Sequence, residues 1–221
     1  MGTFFIGIIV ISGAAFFLWF VFSQIKQKDG STESVVEFCK QYSFSPLSTK
    51  DQKMMWANLK EYMPSSAVNK AFTSTRNPSP ELIASGDVNE RKSYFLYKKN
   101  VHHQSSGHRR YTVGICIENI DASGEVMILP RSFASRLRIF AAGWEKISDH
   151  NGISIYSRQE SDNVPDDDKL KSIVDAISAH NIANIFAFIK DNNIFLGVQS
   201  TNALDVLDKC NSIFRVAKSV T

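Results

Sequence analysis

No aspartate, glutamate, lysine or arginine occurs before Lys26. All the charge of this 221-residue chain, 25 basic and 22 acidic side chains, therefore lies from Lys26 onward. Cysteine is scarce as well: Cys39, Cys116 and Cys210 are odd in number and far apart, which excludes a disulfide framework. Cys116 and Cys210 sit in apolar patterns and read as small core residues. Also missing are the glycine-rich dinucleotide and phosphate loops, the H-E-x-x-H zinc helix and the G-x-S-x-G nucleophile elbow. Six prolines and 11 glycines are too few for a collagen-like or low-complexity chain. The averages, 43% hydrophobic and 21% charged, are those of an ordinary globular domain and conceal the uncharged start.

That start contains FFIGIIVISGAAFFLWFVF, residues 4–22, with Ser12 as its only polar side chain. Nineteen residues of helix rise about 28 Å, close to the ~30 Å hydrocarbon core of a bilayer. A helix satisfies its own backbone hydrogen bonds, which lipid cannot do. Trp19 lies near the charged end, where an amphipathic ring suits the interface. A cleaved signal would need a basic leader and a small-x-small site. Neither is present, so the segment reads as a retained single-pass anchor. Lys26 and Lys28, with Lys40 further on, lie on its C-terminal side, while Met1, Gly2 and Thr3 precede it. The positive-inside rule then places the N-terminus outside and residues 26–221 in the cytoplasm.

Three regions are expected: an anchor over 1–25, a helical juxtamembrane segment and linker over 26–81, and a folded domain over 82–221. Val35, Val36, Phe38 and Cys39 give a short helix a partial apolar face. A second helix is predicted over 49–62, with Met54, Met55, Leu59 and Met63 near helical spacing. Its Met and aromatic residues, Trp56 and Tyr62 included, offer a partner surface or, more commonly, core packing. From Leu82 the pattern turns to strands. Residues 93–101 and 109–117 form a hairpin, with Tyr111, Val113, Ile115 and Ile117 on one face. Residues 125–129 and 153–156 are further strands, and Ser132 caps a helix carrying Phe133, Leu137 and Phe140. The run Val164-Pro165-Asp166-Asp167-Asp168 opens a helix whose Leu170, Ile173, Val174 and Ile177 follow i, i+3, i+4, i+7. Residues 185–189 and 194–198 bracket Lys190-Asp191-Asn192-Asn193 as a second hairpin, the first of these strands apolar on both faces and so covered on both sides. A closing helix from about Asn202 aligns Leu204, Leu207, Cys210, Phe214 and Ala217. Hairpins with interposed helices, rather than βαβ units, predict an α+β domain with a mainly antiparallel sheet and packed helices behind an N-terminal transmembrane helix.

Few residues point to chemistry. His102, His103 and His108 share a hairpin tip, but no Cys or acidic residue nearby completes a zinc shell, so no metal or cofactor is expected. The same hairpin has no acidic residue between Glu90 and Glu118. Its Arg91, Lys92, Lys98, Lys99, Arg109 and Arg110 read as a surface for an anionic partner or as a solvated, aggregation-resistant edge. The anchor favours lipid over nucleic acid there. Asp166, Asp167 and Asp168, preceded by Glu160 and Asp162, lack calcium-loop spacing and suit a helix N-terminus.

The order Leu82-Ile-Ala-Ser-Gly86, Tyr94-Phe-Leu-Tyr97, a basic hairpin tipped by Ser-Ser-Gly, Leu129-Pro-Arg-Ser-Phe133, then Ile185-Phe-Ala-Phe-Ile and Asn193-Ile-Phe-Leu-Gly197 resembles bacterial membrane-anchored proteins with one cytosolic domain of unknown function. The resemblance spans about residues 82–220 and implies a bacterial inner membrane. It supplies no activity. The expectation is a non-enzymatic adaptor or accessory subunit, bound to lipid through residues 4–22 and to a protein at the membrane. The alternatives are a membrane-surface enzyme built from dispersed residues such as His108, Asp121 and Glu145, and an anionic-lipid sensor acting through the hairpin.

Overall fold

The computed structural model describes residues 30–62, 79–101, 109–122, 124–130, 143–158, 167–180, 182 and 185–221. Residues 4–22, the hairpin histidines and the helix expected after Ser132 lie outside these. Among the described residues no helix is long and apolar enough to cross a membrane.

Three two-residue turns organise the strands. Asn89-Glu90, Asn151-Gly152 and Asp191-Asn192 each place two consecutive residues at positive φ. That backbone matches the right-handed twist of paired strands and so closes tight hairpins. They join β2 (Leu82–Val88) to β3 (Arg91–Val101), β6 (Trp144–His150) to β7 (Ile153–Arg158), and β8 (Ile185–Lys190) to β9 (Asn193–Ser200). With β1 (Ser45–Pro46), β4 (Arg109–Ile117) and β5 (Val126–Pro130) they make, among the described residues, one nine-stranded sheet. Its order is β1-β2-β3-β4-β9-β8-β5-β7-β6, and every pair is antiparallel. The chain builds one half through β4, crosses to build β5, β6 and β7, and closes the middle last with β8 and β9. This is the expected α+β class with an antiparallel sheet.

Both faces are covered. On one, α1 (Ser31–Gln41), α3 (Asp167–Ala179) and α4 (Val206–Val220) lay Phe38, Ile173 and Phe214 onto Phe95, Ile115 and Leu196. Tyr111, Val113, Ile115 and Ile117 share this face as expected. The other face is aromatic: Tyr94, Tyr156, Phe186, Phe188 and Phe195 lie in one cluster with Trp56 and Leu59 of α2 (Thr49–Tyr62). Trp56 is thus core, while Met54 stays exposed. β8 is buried on both sides, as its unbroken apolar run predicted.

Two strands and one helix start depart from expectation. β1 is too short for periodicity to mark it. β6 was not expected, because five of its seven residues are exposed and it carries no alternating apolar stripe. Leu204 belongs to a 3-10 turn over Ala203–Asp205, out of phase with α4, and is 86% exposed rather than part of the apolar face.

Candidate interaction surface

The β3–β4 hairpin carries the six basic residues singled out from the sequence. Register runs from Ser93↔Ile117 to Val101↔Arg109 without a bulge. Alternation along β3 therefore decides where each side chain goes, and the structure divides the six into three groups.

Arg91 and Lys92 stand at the β2–β3 turn, at one end of the sheet. Arg91 Nη1 donates to the Asn119 carbonyl. Lys92 Nζ lies 3.8 Å from Glu118 Oε2 and 5.2 Å from the centre of the Tyr94 ring. Contact with the Tyr94 side chain, followed by the Glu118 charge, holds the Lys92 ammonium above its ordinary pKa. Lys98 is only 1% exposed. It shares the aromatic face with Tyr94 and Leu96, is registered against the buried Thr112, and has interaction partners inside the fold. Lys99, Arg109 and Arg110 occupy the far end of the hairpin, Lys99 half-buried and Arg110 exposed. The six are consequently not one surface. Lys98 is a structural residue, and the remaining charges lie at opposite ends of long strands.

A second charged cluster had no signal in the sequence. Glu125 Oε1 is 3.0 Å from Lys190 Nζ, and its Oε2 is 3.1 Å from Arg158 Nη1. Strand pairing explains the meeting: Val126 is registered with both Ile189 and Ser157, so the residue before it falls between Lys190 and Arg158. Burial by itself raises the Glu125 pKa. The hydrogen bonds and charges of Lys190 and Arg158 outweigh it and leave the carboxyl below its ordinary value. This cluster lies at the same end of the sheet as Arg91 and Lys92.

Of the dispersed-residue reading, Asp121 and Glu145 are not brought together, and His108 lies outside the described residues. Asp121 is exposed in the loop after β4, and Glu145 is exposed on the edge strand β6, five strands away from β4. His150 on β6 does meet Asp175 on α3 at 3.1 Å, with both side chains open to solvent. Among the described residues no three His, Cys, Asp or Glu side chains converge as metal ligands would. Asp168 stands exposed in the first turn of α3, where the acidic run meets the helix.

The thiols are poor nucleophiles. Burial pushes Cys39 up to about 11 and Cys116 up to about 12. Cys210 rises as well, through burial and its neighbour Cys39. A thiol reacts as the thiolate, so all three are quiescent near neutrality. An open groove of about 360 Å³ follows the outer side of α1, lined by Thr32, Glu33, Val36, Glu37 and Lys40. Among the described residues its lining comes from α1 alone.

No protein-family model and no curated protein matches the chain. Among solved structures it is similar to the crystal structure of the mycobacterial trehalose monomycolate transport factor A, TtfA, at 12% sequence identity and a TM-score of 0.44, over 85% of this chain and 96% of that one.

Proposed function

We propose that the chain is a single-pass protein of a bacterial inner membrane whose α+β domain, with α1, β1 and α2 part of its core, faces the cytoplasm. There it acts as a non-enzymatic adaptor or accessory subunit of a membrane-bound complex. The observation that carries this reading is the uncharged run over residues 4–22, followed by lysines on one side only. The anchor confines the domain to a thin layer at the membrane, which raises its effective concentration for partners held there. The adaptor role is supported over the enzyme role by the separation of Asp121 from Glu145 and by thiols held protonated.

Crosslinking in native membranes, followed by mass spectrometry, tests the role. A reproducible membrane-protein partner is expected, and recovery of monomer and lipid alone would sink it. Orientation is checked separately by C-terminal fusion to a phosphatase that is active only outside the cytoplasm. An active fusion would reverse the topology.

A further inference from the structure

The fold sorts the three cysteines. Cys116 lies in the aromatic cluster on one face of the sheet, whereas Cys39 and Cys210 share the core on the other. Cys39 is on α1 and Cys210 on α4, both sealed from solvent, and all three are free thiols.

The two helices run the same way. α1 starts where the Ser31 hydroxyl meets that of Tyr97, which is registered with Leu82. The chain leaving α1 lays Phe44 on Gly86, further along β2 toward its turn with β3. α4 follows β9, whose Ser200 is opposite Tyr111 at the far end of the β3–β4 hairpin. It ends at the β2–β3 turn, where the Asn89 amide donates to the Lys218 carbonyl at 2.9 Å.

Their contact is close. The Tyr42 and Phe214 ring centres are 4.1 Å apart, and Phe38 meets Phe214 edge-on at 5.9 Å. Cys39 stands one turn back from Tyr42, and Cys210 one turn back from Phe214. On helices that run in step, one turn back along each brings both thiols to the same level of the contact. Cys39 is also the charged neighbour that adds to the effect of burial on Cys210.

We infer that Cys39 and Cys210 form a redox-sensitive latch, joined into a disulfide by a hydroperoxide and released by reduction. One sulfur, as thiolate, attacks a peroxide oxygen; the O–O bond breaks, hydroxide leaves and a sulfenic acid forms. The second sulfur then displaces its oxygen, which leaves as water. Two thiols and one hydrogen peroxide give one disulfide and two waters, two electrons passing from sulfur to oxygen. Burial keeps the thiols protonated, so the step is slow and answers sustained oxidation. The bond closes a loop of about 170 residues, from the first described helix to the last. Reduced, α1 can part from the sheet by local opening; oxidised, it leaves only when the domain unfolds. This goes beyond the adaptor reading and does not depend on it.

The test uses the full chain, purified reduced in detergent, treated with hydrogen peroxide, alkylated and mapped by mass spectrometry. A Cys39–Cys210 peptide pair is expected, lost on reduction, with Cys116 left as a thiol. The midpoint of thermal unfolding should rise by about 10 °C, as a long closed loop implies. Amide exchange in α1 should slow to the rate of global unfolding. Cys116→Ala should respond as the parent does, and Cys210→Ala should show none of these changes. The comparison of oxidised with reduced parent stands even where a variant fails to fold. Sulfinic acid at Cys39 or Cys210 without the pair, a pair that forms only in urea, or a pair that lowers the midpoint overturns the latch. Exchange in α1 that is unaltered by the bond overturns its hold on that helix.

Discussion

The hydroxyls of Ser31 and Tyr97 lie 2.7 Å apart, with both residues buried. This contact ties the first turn of α1 to the third strand of the sheet across 66 residues of sequence. Tyr97→Phe removes one partner and keeps the ring. The loss expected is about 1–2 kcal/mol in urea unfolding, because the Ser31 hydroxyl stays buried with one bond fewer. Ser31→Ala should cost less when made on top of Tyr97→Phe than alone. Strict additivity would mean that the two hydroxyls do not act on each other.

Gly197 is fitted to Phe186. A Cβ at position 197 would lie 2.3 Å from Phe186 Cζ and 2.4 Å from Cε2, and Phe186 is itself fully buried beside Phe188 and Phe195. Gly197→Ala is therefore expected to destabilise by about 1–3 kcal/mol through overpacking. Phe186→Leu, which vacates the ring edge, should recover part of that in the double variant. A neutral Gly197→Ala in thermal unfolding would show that the aromatic layer can shift.

These contacts divide what could be read from the sequence from what could not. The β3–β4 and β8–β9 hairpins were legible because period-two runs and an Asp-Asn turn are local signals. The burial of β8 on both faces followed from its composition alone. β6 gave no such signal, since an edge strand exposed at five positions has no stripe. Leu204 was misplaced because spacing of three to four residues fits α-helix and 3-10 turn alike, and the two diverge in phase within a turn. The Glu125 cluster was beyond reach for a different reason. It depends on the register of three strands drawn from residues 125, 158 and 190, and no local pattern encodes that.

Glu125 should make stability depend on pH. Its carboxyl ionises more readily in the folded chain than in the unfolded one, so on acidification the unfolded chain takes up this proton first. The contribution is full above the ordinary carboxylate range and is lost as pH falls through the lowered folded value. Glu125→Gln is expected to cost up to about 1 kcal/mol near neutrality, the range of partly exposed ion pairs. The gap between variant and parent should close in acid. Urea titrations over a pH series measure it, and a gap that stays constant into strong acid would remove the ion pairs as its cause.

Lys98 and Lys99 are neighbours with opposite consequences. Alternation sends Lys98 to the aromatic face, where it is 1% exposed, and leaves Lys99 half-buried on the other face, opposite Tyr111. A buried ammonium persists only with partners, and Lys98 has them. Lys98→Ala removes the packed stem and leaves a buried polar partner unsatisfied, so a loss of about 1–3 kcal/mol is expected in denaturant unfolding. Lys99→Ala should stay within about 1 kcal/mol of the parent, as changes at partly solvated positions do. Equal effects of the two lysines on stability would mean that the aromatic face accommodates the loss of its buried cation.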